Sequence, residues 1–192
     1  LGKTAYLLPN PGLTENTAPY FTPYSAPADF VPEKVVSTDI ATVGLFPENA
    51  RPYAERVDLA IDHHPSFESF GRENIVRPEA AACGELIYDI LSDLGPITPE
   101  MALPLYVAVS TDTGCFIYSN VTAETHRAAA ALMETGIDYR TVNKRFFQTK
   151  SRVQMQLEAA ILNDCTFYDR DRVAVLSVPL SLMARIGASE TD

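Results

Sequence analysis

The segment 57–66, Val-Asp-Leu-Ala-Ile-Asp-His-His-Pro-Ser, constrains the fold of this chain more than any other. A short, mostly apolar run at 57–61 predicts a buried strand, and Asp62, His63 and His64 follow where that run stops. In an open α/β sheet, the carboxyl ends of the strands carry the chemistry. A lone acid or histidine there would indicate only a polar strand end, but an acid beside a histidine pair favours a functional site.

The rest of the chain predicts an α/β fold, with short strands early and helices concentrated in the second half. The early strands are expected at 4–8, 34–37 and 57–61, and each is apolar on both faces, as in a buried parallel sheet. The segment 74–78 is interpreted as a connection. Apolar periodicity and capping residues predict helices at 79–94, from Thr98 towards Thr111, and at 122–134, 139–148 and 151–162, followed by strands at 166–168 and 173–178.

Composition and charge narrow the functional classes. The net charge of −10 gives little attraction for duplex nucleic acid, whereas a small anionic substrate stays compatible if a bound cation inverts the local field.

The sequence contains no apolar run of about eighteen residues and does not begin like a signal peptide, so no membrane association is expected. Cys83, Cys115 and Cys165 match no zinc or disulfide pattern, which predicts reduced thiols in the cytoplasm. His126 is interpreted as a surface residue.

Acidic and imidazole side chains recur where the predicted elements end. Asp39 follows the second strand, Asp62, His63 and His64 follow the third, and Asp112 lies in a Thr-Asp-Thr-Gly-Cys-Phe segment. Carboxylates and imidazoles are the ligands of Mn²⁺ and related ions. Two such ions about 4 Å apart can clamp a phosphate and activate a water molecule. Clustered acids would repel a phosphate without metals, so the pattern predicts a metal site, although a strand-end cap explains Asp39 equally well.

Three segments together resemble the DHH phosphoesterase family. They are the Asp-His-His triplet at 62–64, Ala-Ala-Ala-Cys-Gly-Glu-Leu-Ile-Tyr-Asp-Ile-Leu at 80–91, and Thr-Asp-Thr-Gly-Cys-Phe-Ile-Tyr-Ser-Asn at 111–120. The likeness covers residues 34–163. It is strongest to the small DHH–DHHA1 proteins that act as nanoRNases and as phosphatases of 3′-phosphoadenosine 5′-phosphate (pAp). RecJ-type exonucleases, cyclic dinucleotide phosphodiesterases and manganese inorganic pyrophosphatases are more distantly similar.

The resemblance implies a role for each candidate residue. Asp39 would be the acid shared by two divalent ions, Mn²⁺ by preference with Mg²⁺ or Co²⁺ as substitutes. His63 and Asp112 would complete one of the two metal sites. His64 would face the scissile phosphate and bind it or stabilise its developing charge. Asp62 would orient the histidines from behind, since a ligating imidazole needs an outer partner.

The resemblance also implies a domain organisation. A parallel-sheet DHH domain with flanking helices would occupy 1–149, a linker helix 150–164, and the start of a second α/β domain, similar to DHHA1, 165–192. Two family motifs are missing from these 192 residues: the His-x-x-x-Pro-Asp-x-Asp segment that supplies three metal ligands, and the Gly-Gly-Gly-His segment of DHHA1. We expect both motifs outside this sequence, and we expect the chain alone to bind metal weakly and to turn over little substrate.

The implied activity is that of a cytoplasmic Mn²⁺-dependent phosphodiesterase or exonuclease. Its substrates would be short single-stranded oligonucleotides, or phosphorylated nucleotides such as pAp, and no membrane would be involved. Related small enzymes often pair, which leaves a homodimer open. Two alternatives also stay open: a non-catalytic nucleotide-binding module of the same fold, and hydrolysis of pyrophosphate or of a cyclic dinucleotide.

Overall fold

A three-stranded parallel sheet forms the centre of the first part of the chain. The computed structural model describes residues 3–10 and 12–189, and the chain divides into two compact units, Leu1–Phe147 and Gln148–Asp192. The strands of the first unit are β1 (Val36–Thr38), β2 (Leu59–Asp62) and β3 (Glu73–Val76), paired in the order β1-β2-β3. The central strand is therefore the one that ends in Asp62.

Both faces of the central strand β2 are covered, as expected of a parallel sheet. Successive residues of a strand point to opposite faces. Accordingly, Ala60 of β2 belongs to a buried cluster with Phe46 and Val57, whereas Ile61 packs with Cys83 and Leu86 on the other face. This arrangement confirms the α/β fold predicted from the sequence.

The first unit also contains helices. They are α1 (Ala18–Phe21), α2 (Cys83–Leu94), α3 (Pro99–Asp112), α4 (Ala123–Glu134) and α5 (Tyr139–Asn143), with 3₁₀ turns at Thr22–Tyr24, Val43–Leu45 and Arg51–Arg56 and a π turn at Lys144–Gln148. The Thr98 side chain accepts a hydrogen bond from the Met101 amide, and it caps α3 as predicted. Tyr106, Leu132 and Val142 are among the buried residues of a core that joins α3, α4 and α5.

Helices α2 and α3 approach each other closely at Gly84. Gly84 lies in the first turn of α2, and a Cβ atom at this position would lie only 3.0 Å from Cβ of Ala108. The glycine therefore allows the two helix backbones to pack more tightly than a larger residue would permit. The last residue of α3 is Asp112, so this packing helps to determine the position of its carboxylate.

In its described part, residues 148–189, the second unit contains two helices and a hairpin. Its elements are α6 (Arg152–Asn163), β4 (Thr166–Tyr168), β5 (Val173–Val175) and α7 (Leu180–Ile186), and the two strands pair antiparallel. Ser151 caps α6 by accepting a hydrogen bond from the Gln154 amide. The assignment of this unit as a linker helix and the beginning of a DHHA1-like domain stays a prediction.

Two predicted elements differ in kind from the structure, and others differ at their bounds, such as α2, which begins at Cys83 and not at residue 79. Residues 4–8 form no strand, because Leu7 makes only an isolated bridge to Ser25. The segment interpreted as a connection at 74–78 belongs in part to β3, which pairs in parallel with β2. Among the described residues, every helix is too short or too polar to cross a bilayer.

Candidate metal centre

The sheet and α3 bring the predicted site residues to one place. Asp39 directly follows β1, Asp62 ends β2, and His63 and His64 follow it. Neighbouring parallel strands end at the same edge of their sheet, which is where open α/β folds place ligands. Asp112, the last residue of α3, approaches the same edge from the helical layer.

His63 lies between the two acids that the sequence singled out. Its Nε2 atom is 3.4 Å from Oδ1 of Asp39 and 3.6 Å from Oδ2 of Asp112. The side chain of His63 is 15% exposed, whereas those of the two acids are 44% and 34% exposed. The cluster is therefore open on the side of the carboxylates and closed behind the imidazole.

The backbone at Asp39 turns sharply where β1 ends. Its φ angle is 60°, in the left-handed region that aspartate tolerates better than most residues. The Asp39 amide still donates to the Ile61 carbonyl oxygen at 2.9 Å, which extends the pairing with β2 by one residue. The acid is therefore held against the central strand by its backbone, while its carboxylate reaches His63.

A backbone carbonyl fixes the ring orientation of His63. Nδ1 of His63 donates a hydrogen bond to the carbonyl oxygen of Ala80 at 3.0 Å. This bond leaves Nε2 as the nitrogen that faces Asp39 and Asp112. A ligating histidine commonly has such an outer acceptor, which sets its tautomer and orientation. Sequence reasoning missed Ala80, because no property of an alanine side chain indicates what its carbonyl contacts.

Asp62 holds the second histidine. One oxygen of its carboxylate, Oδ1, accepts hydrogen bonds from the His64 amide at 2.6 Å and from Nδ1 of His64 at 2.7 Å. The Asp62 side chain is only 1% exposed, and its Oδ2 atom has no protein partner among the described residues. In this structure Asp62 orients His64, whereas His63 is oriented by Ala80.

The pKa shifts reflect the crowding of charges. The hydrogen bond between His63 and Asp39 lowers the pKa of Asp39 and raises the pKa of His63 to about 9. Burial, and then the nearby negative charge of Asp39, raises the pKa of Asp112. The negative charges of the two acids are therefore stabilised by a nearby positive charge. The protonated His63 ring provides that charge when no cation is bound.

These residues form a donor set that fits a divalent cation. Ligand atoms of Asp39, His63 and His64 lie within 4.8 Å of one another. Asp112 adjoins this group through Nε2 of His63. Because Nδ1 of His64 is bonded to Asp62, only Nε2 of that ring is free for a ligand. The metal roles of Asp39, His63 and Asp112, and the phosphate role of His64, stay predictions.

Two further residues support the cluster and were not identified as site residues from the sequence. Asn120 donates from Nδ2 to the carbonyl oxygens of Ala81, at 2.9 Å, and of Asp112, at 3.2 Å. Cys83 donates from Sγ to the Ile61 carbonyl oxygen at 3.3 Å. Burial raises the pKa of the Cys83 thiol to about 12, so it stays protonated, in keeping with a core residue rather than a nucleophile.

The third histidine lies outside the cluster. His126 is exposed near the start of α4, and its ring stacks on Phe116 with centroids 5.4 Å apart. It belongs to none of the metal-binding groups that the described residues form. This placement agrees with its interpretation as a surface residue and makes it a useful control for the other two histidines.

Sequence comparison relates the chain to bacterial phosphatases. No family model matches it. It is 30% identical over 174 residues to the bifunctional oligoribonuclease and PAP phosphatase NrnA of Thermus thermophilus. The aligned segment covers 88% of this chain and 52% of that protein. It is 33% identical over 93 residues to the protein of the same name from Mycoplasma genitalium, covering 47% of this chain and 29% of that protein. The chain spans about half the length of the Thermus relative.

Two solved structures share the fold. An exopolyphosphatase-related protein from Bacteroides fragilis superposes with a TM-score of 0.72 and 24% identity, covering 82% of this chain and 48% of that chain. A putative family II inorganic pyrophosphatase from Methanococcus jannaschii superposes with a TM-score of 0.51 and 16% identity, covering 79% of this chain and 55% of that chain. At these identities the likeness concerns the α/β architecture.

Proposed function

Because the chain belongs to the DHH phosphoesterase family, we propose that it forms the metal-binding core of a phosphoesterase that requires divalent ions, Mn²⁺ by preference. One observation carries the proposal: two carboxylates and two imidazoles meet at the carboxyl edge of a parallel sheet. The acids Asp39 and Asp112 both lie within 4 Å of Nε2 of His63. Ligands of this type suit Mn²⁺, Co²⁺ and related ions and need no thiolate.

The charge of the cluster is the physical argument for a cation. Two carboxylates beside a phosphate would repel it, and the chain carries a net charge of −10. A divalent ion held by Asp39, His63 and Asp112 would neutralise these acids, polarise the phosphate and make a nearby water molecule more acidic. Its binding would displace a proton from His63, whose pKa the hydrogen bond to Asp39 raises to about 9.

His64 and Asp62 are the remaining residues of the triplet. We assign His64 to binding of the phosphate and Asp62 to orientation of the His64 ring. The bond from Nδ1 of His64 to the buried Asp62 fixes the His64 ring, and the same nitrogen lies 3.7 Å from Oδ1 of Asp39. We assign Nε2 of His64 to a phosphate oxygen, where it donates a hydrogen bond and offsets charge that develops during hydrolysis. Asp62 provides the counter-charge for His64 and does not contact substrate.

For the substrate we propose short single-stranded oligonucleotides and phosphorylated nucleotides such as pAp. The support comes from the name of the Thermus thermophilus relative, an oligoribonuclease and PAP phosphatase, which is 30% identical to this chain. The similarity to a putative pyrophosphatase concerns the fold alone, since its identity is 16%. The acidic surface fits this choice, because a small substrate neutralised at a metal site needs no broad basic face.

Hydrolysis assays test this proposal directly. The protein is expressed from its complete reading frame and given pApA or pAp with Mn²⁺, and AMP is separated by chromatography. We expect release of AMP that excess EDTA abolishes. The His64→Ala variant should lose about 100-fold in kcat, the usual cost of removing a transition-state hydrogen-bond donor. The matched control is His126→Ala, whose ring lies outside the cluster.

Three results would contradict the proposal. One is hydrolysis that persists in EDTA, and another is an equal loss of activity in the two histidine variants. The third is binding of these nucleotides in Mn²⁺ without any turnover, which would favour the non-catalytic nucleotide-binding module instead.

A further inference from the structure

Asn120 joins the two segments that carry opposite sides of the cluster. From a single amide nitrogen, Nδ2, it donates to the carbonyl oxygen of Ala81 at 2.9 Å and to that of Asp112 at 3.2 Å. Ala81 adjoins Ala80, whose carbonyl oxygen accepts from Nδ1 of His63. The Asn120 carboxamide is therefore the link between the backbone that orients His63 and the backbone that carries the Asp112 carboxylate.

The chemistry of asparagine suits this position. Asp112 is the last residue of α3, and the final carbonyls of a helix have no partner within the helix. Ala81 lies just before α2 begins at Cys83. A primary amide offers two N–H groups on one nitrogen and can satisfy both carbonyl oxygens together, which aspartate, serine and alanine cannot do.

The side chain is not part of the hydrophobic core. Asn120 is exposed, and it lies in the segment between α3 and α4. The core of this unit is formed instead by apolar residues such as Tyr106, Leu132 and Val142. Removing the carboxamide should therefore leave the fold intact and alter only the relative position of the two segments.

We propose that Asn120 is a positioning residue for the metal centre, holding the Asp112 carboxylate at a fixed distance from Nε2 of His63. This inference rests on the proposed function, since it assumes that the two side chains bind one ion. The 3.6 Å separation between Nε2 of His63 and Oδ2 of Asp112 depends on two backbone segments far apart in sequence. The Asn120 side chain donates hydrogen bonds to a carbonyl oxygen on each side, in addition to the packing of α2 on α3.

Manganese affinity tests the role of Asn120. Free Mn²⁺ is quantified by electron paramagnetic resonance during titration of wild type, Asn120→Ala and Asn120→Gln, and each Tm is measured in EDTA. We expect Asn120→Ala to raise the Kd for Mn²⁺ about 10-fold, as loss of an outer partner of a metal ligand commonly does, with little change in Tm. Asn120→Gln keeps the carboxamide and should recover part of the affinity.

The matched control is Asn143→Ala. The Asn143 carboxamide bonds to the hydroxyl group of Tyr106 in the helical core, away from the cluster. This variant should lower Tm and keep the wild-type affinity for Mn²⁺. The visible absorption of bound Co²⁺ adds a readout of ligand geometry, and we expect it to change in Asn120→Ala and not in Asn143→Ala.

The outcomes separate this inference from the proposed function. Wild-type protein that binds Mn²⁺, together with an Asn120→Ala variant of unchanged affinity and unchanged Co²⁺ spectrum, would overturn the role of Asn120 alone. An equal loss of affinity in Asn143→Ala would also overturn it, because the effect would then follow from general destabilisation. Wild-type protein that binds neither ion would overturn the metal site and the inference with it.

Discussion

Nδ1 of His64 lies 2.7 Å from Oδ1 of Asp62, a carboxylate whose side chain is only 1% exposed. The same oxygen accepts the His64 amide at 2.6 Å. A buried carboxylate is costly unless its hydrogen bonds are made, and these two bonds also restrict the imidazole to one orientation. The pair therefore stabilises the end of β2 and also fixes the orientation of the His64 ring.

Replacing Asp62 should affect both stability and activity. The Asp62→Ala variant loses the acceptor of two hydrogen bonds, and we expect the free energy of unfolding to fall by about 1–3 kcal/mol. Activity should fall by about 10-fold or more, since the His64 ring is no longer held. Chemical denaturation and kcat measurements check the two effects.

The control for Asp62 is Asp89→Ala. Asp89 pairs with Arg77 at 2.7 Å, and both side chains are substantially exposed. Such a pair contributes about 0–1 kcal/mol, so this variant should be nearly neutral for stability and neutral for activity. Wild-type activity in Asp62→Ala would show that His64 needs no orienting carboxylate.

Metal binding should release a proton at neutral pH. The hydrogen bond to Asp39 raises the pKa of His63 to about 9, so the metal-free imidazole is protonated at pH 7. A metal ion requires the neutral ring, and its affinity should therefore rise with pH up to about 9 and then level off. Calorimetry at pH 7 in two buffers of different ionisation heat should give about one proton released per Mn²⁺ bound.

The His63→Gln variant is the control for this proton-release measurement. It removes the titrating imidazole, so any residual Mn²⁺ binding should release less than one proton. A binding heat that is the same in both buffers for the wild-type protein would show that His63 is neutral before the ion binds, and it would contradict the charge distribution described here.

A side chain at Gly114 should be destabilising, chiefly because of its backbone angle. Its φ angle is +54°, and a Cβ atom there would lie 2.4 Å from the ring of Tyr118. We expect Gly114→Ala to lower the free energy of unfolding by more than about 1 kcal/mol. Gly44→Ala is the control, because its nearest contact would be an ordinary 3.6 Å and its cost should be below about 0.5 kcal/mol. Equal Tm values for the two variants would contradict this account of the loop.

The sequence predicted the helices well because their beginnings carry local signals. Thr98, Thr122 and Ser151 each precede a helix and cap it by accepting a backbone hydrogen bond. Capping depends on residues within one turn, so it can be recognised without knowledge of the tertiary structure. The central strand was predicted for a similar reason, since the apolar run before Asp62 reflects burial on both faces.

The errors in the fold have a common physical origin. β3 begins with Glu73 and Asn74, and it lies at the edge of the sheet with most of its residues exposed, so it lacks the apolar pattern of a central strand. Residues 4–8 have that pattern, yet Leu7 forms only an isolated bridge. Strand formation depends on the partner that tertiary structure supplies, and composition alone does not reveal it.

The acids and histidines of the candidate site were predictable, and the contacts that hold them were not. Asp39, His63 and Asp112 were identified because their chemistry and their places at element ends are visible in the sequence. The left-handed turn at Asp39, the Ala80 carbonyl oxygen and the bridging amide of Asn120 were not predicted. The last two features join groups that are 17 and 39 residues apart in sequence, and no local pattern records such contacts.

The metal site at Asp39 and His63 is tested most directly by X-ray diffraction from crystals soaked in Mn²⁺. Data are collected on both sides of the manganese absorption edge. We expect an anomalous peak within bonding distance of Asp39 and Nε2 of His63, with Asp112 completing its ligands, and no such peak in a crystal of the His63→Gln variant. A map without a peak at this cluster, or with peaks only at exposed acids such as Asp169 and Asp171, would contradict it.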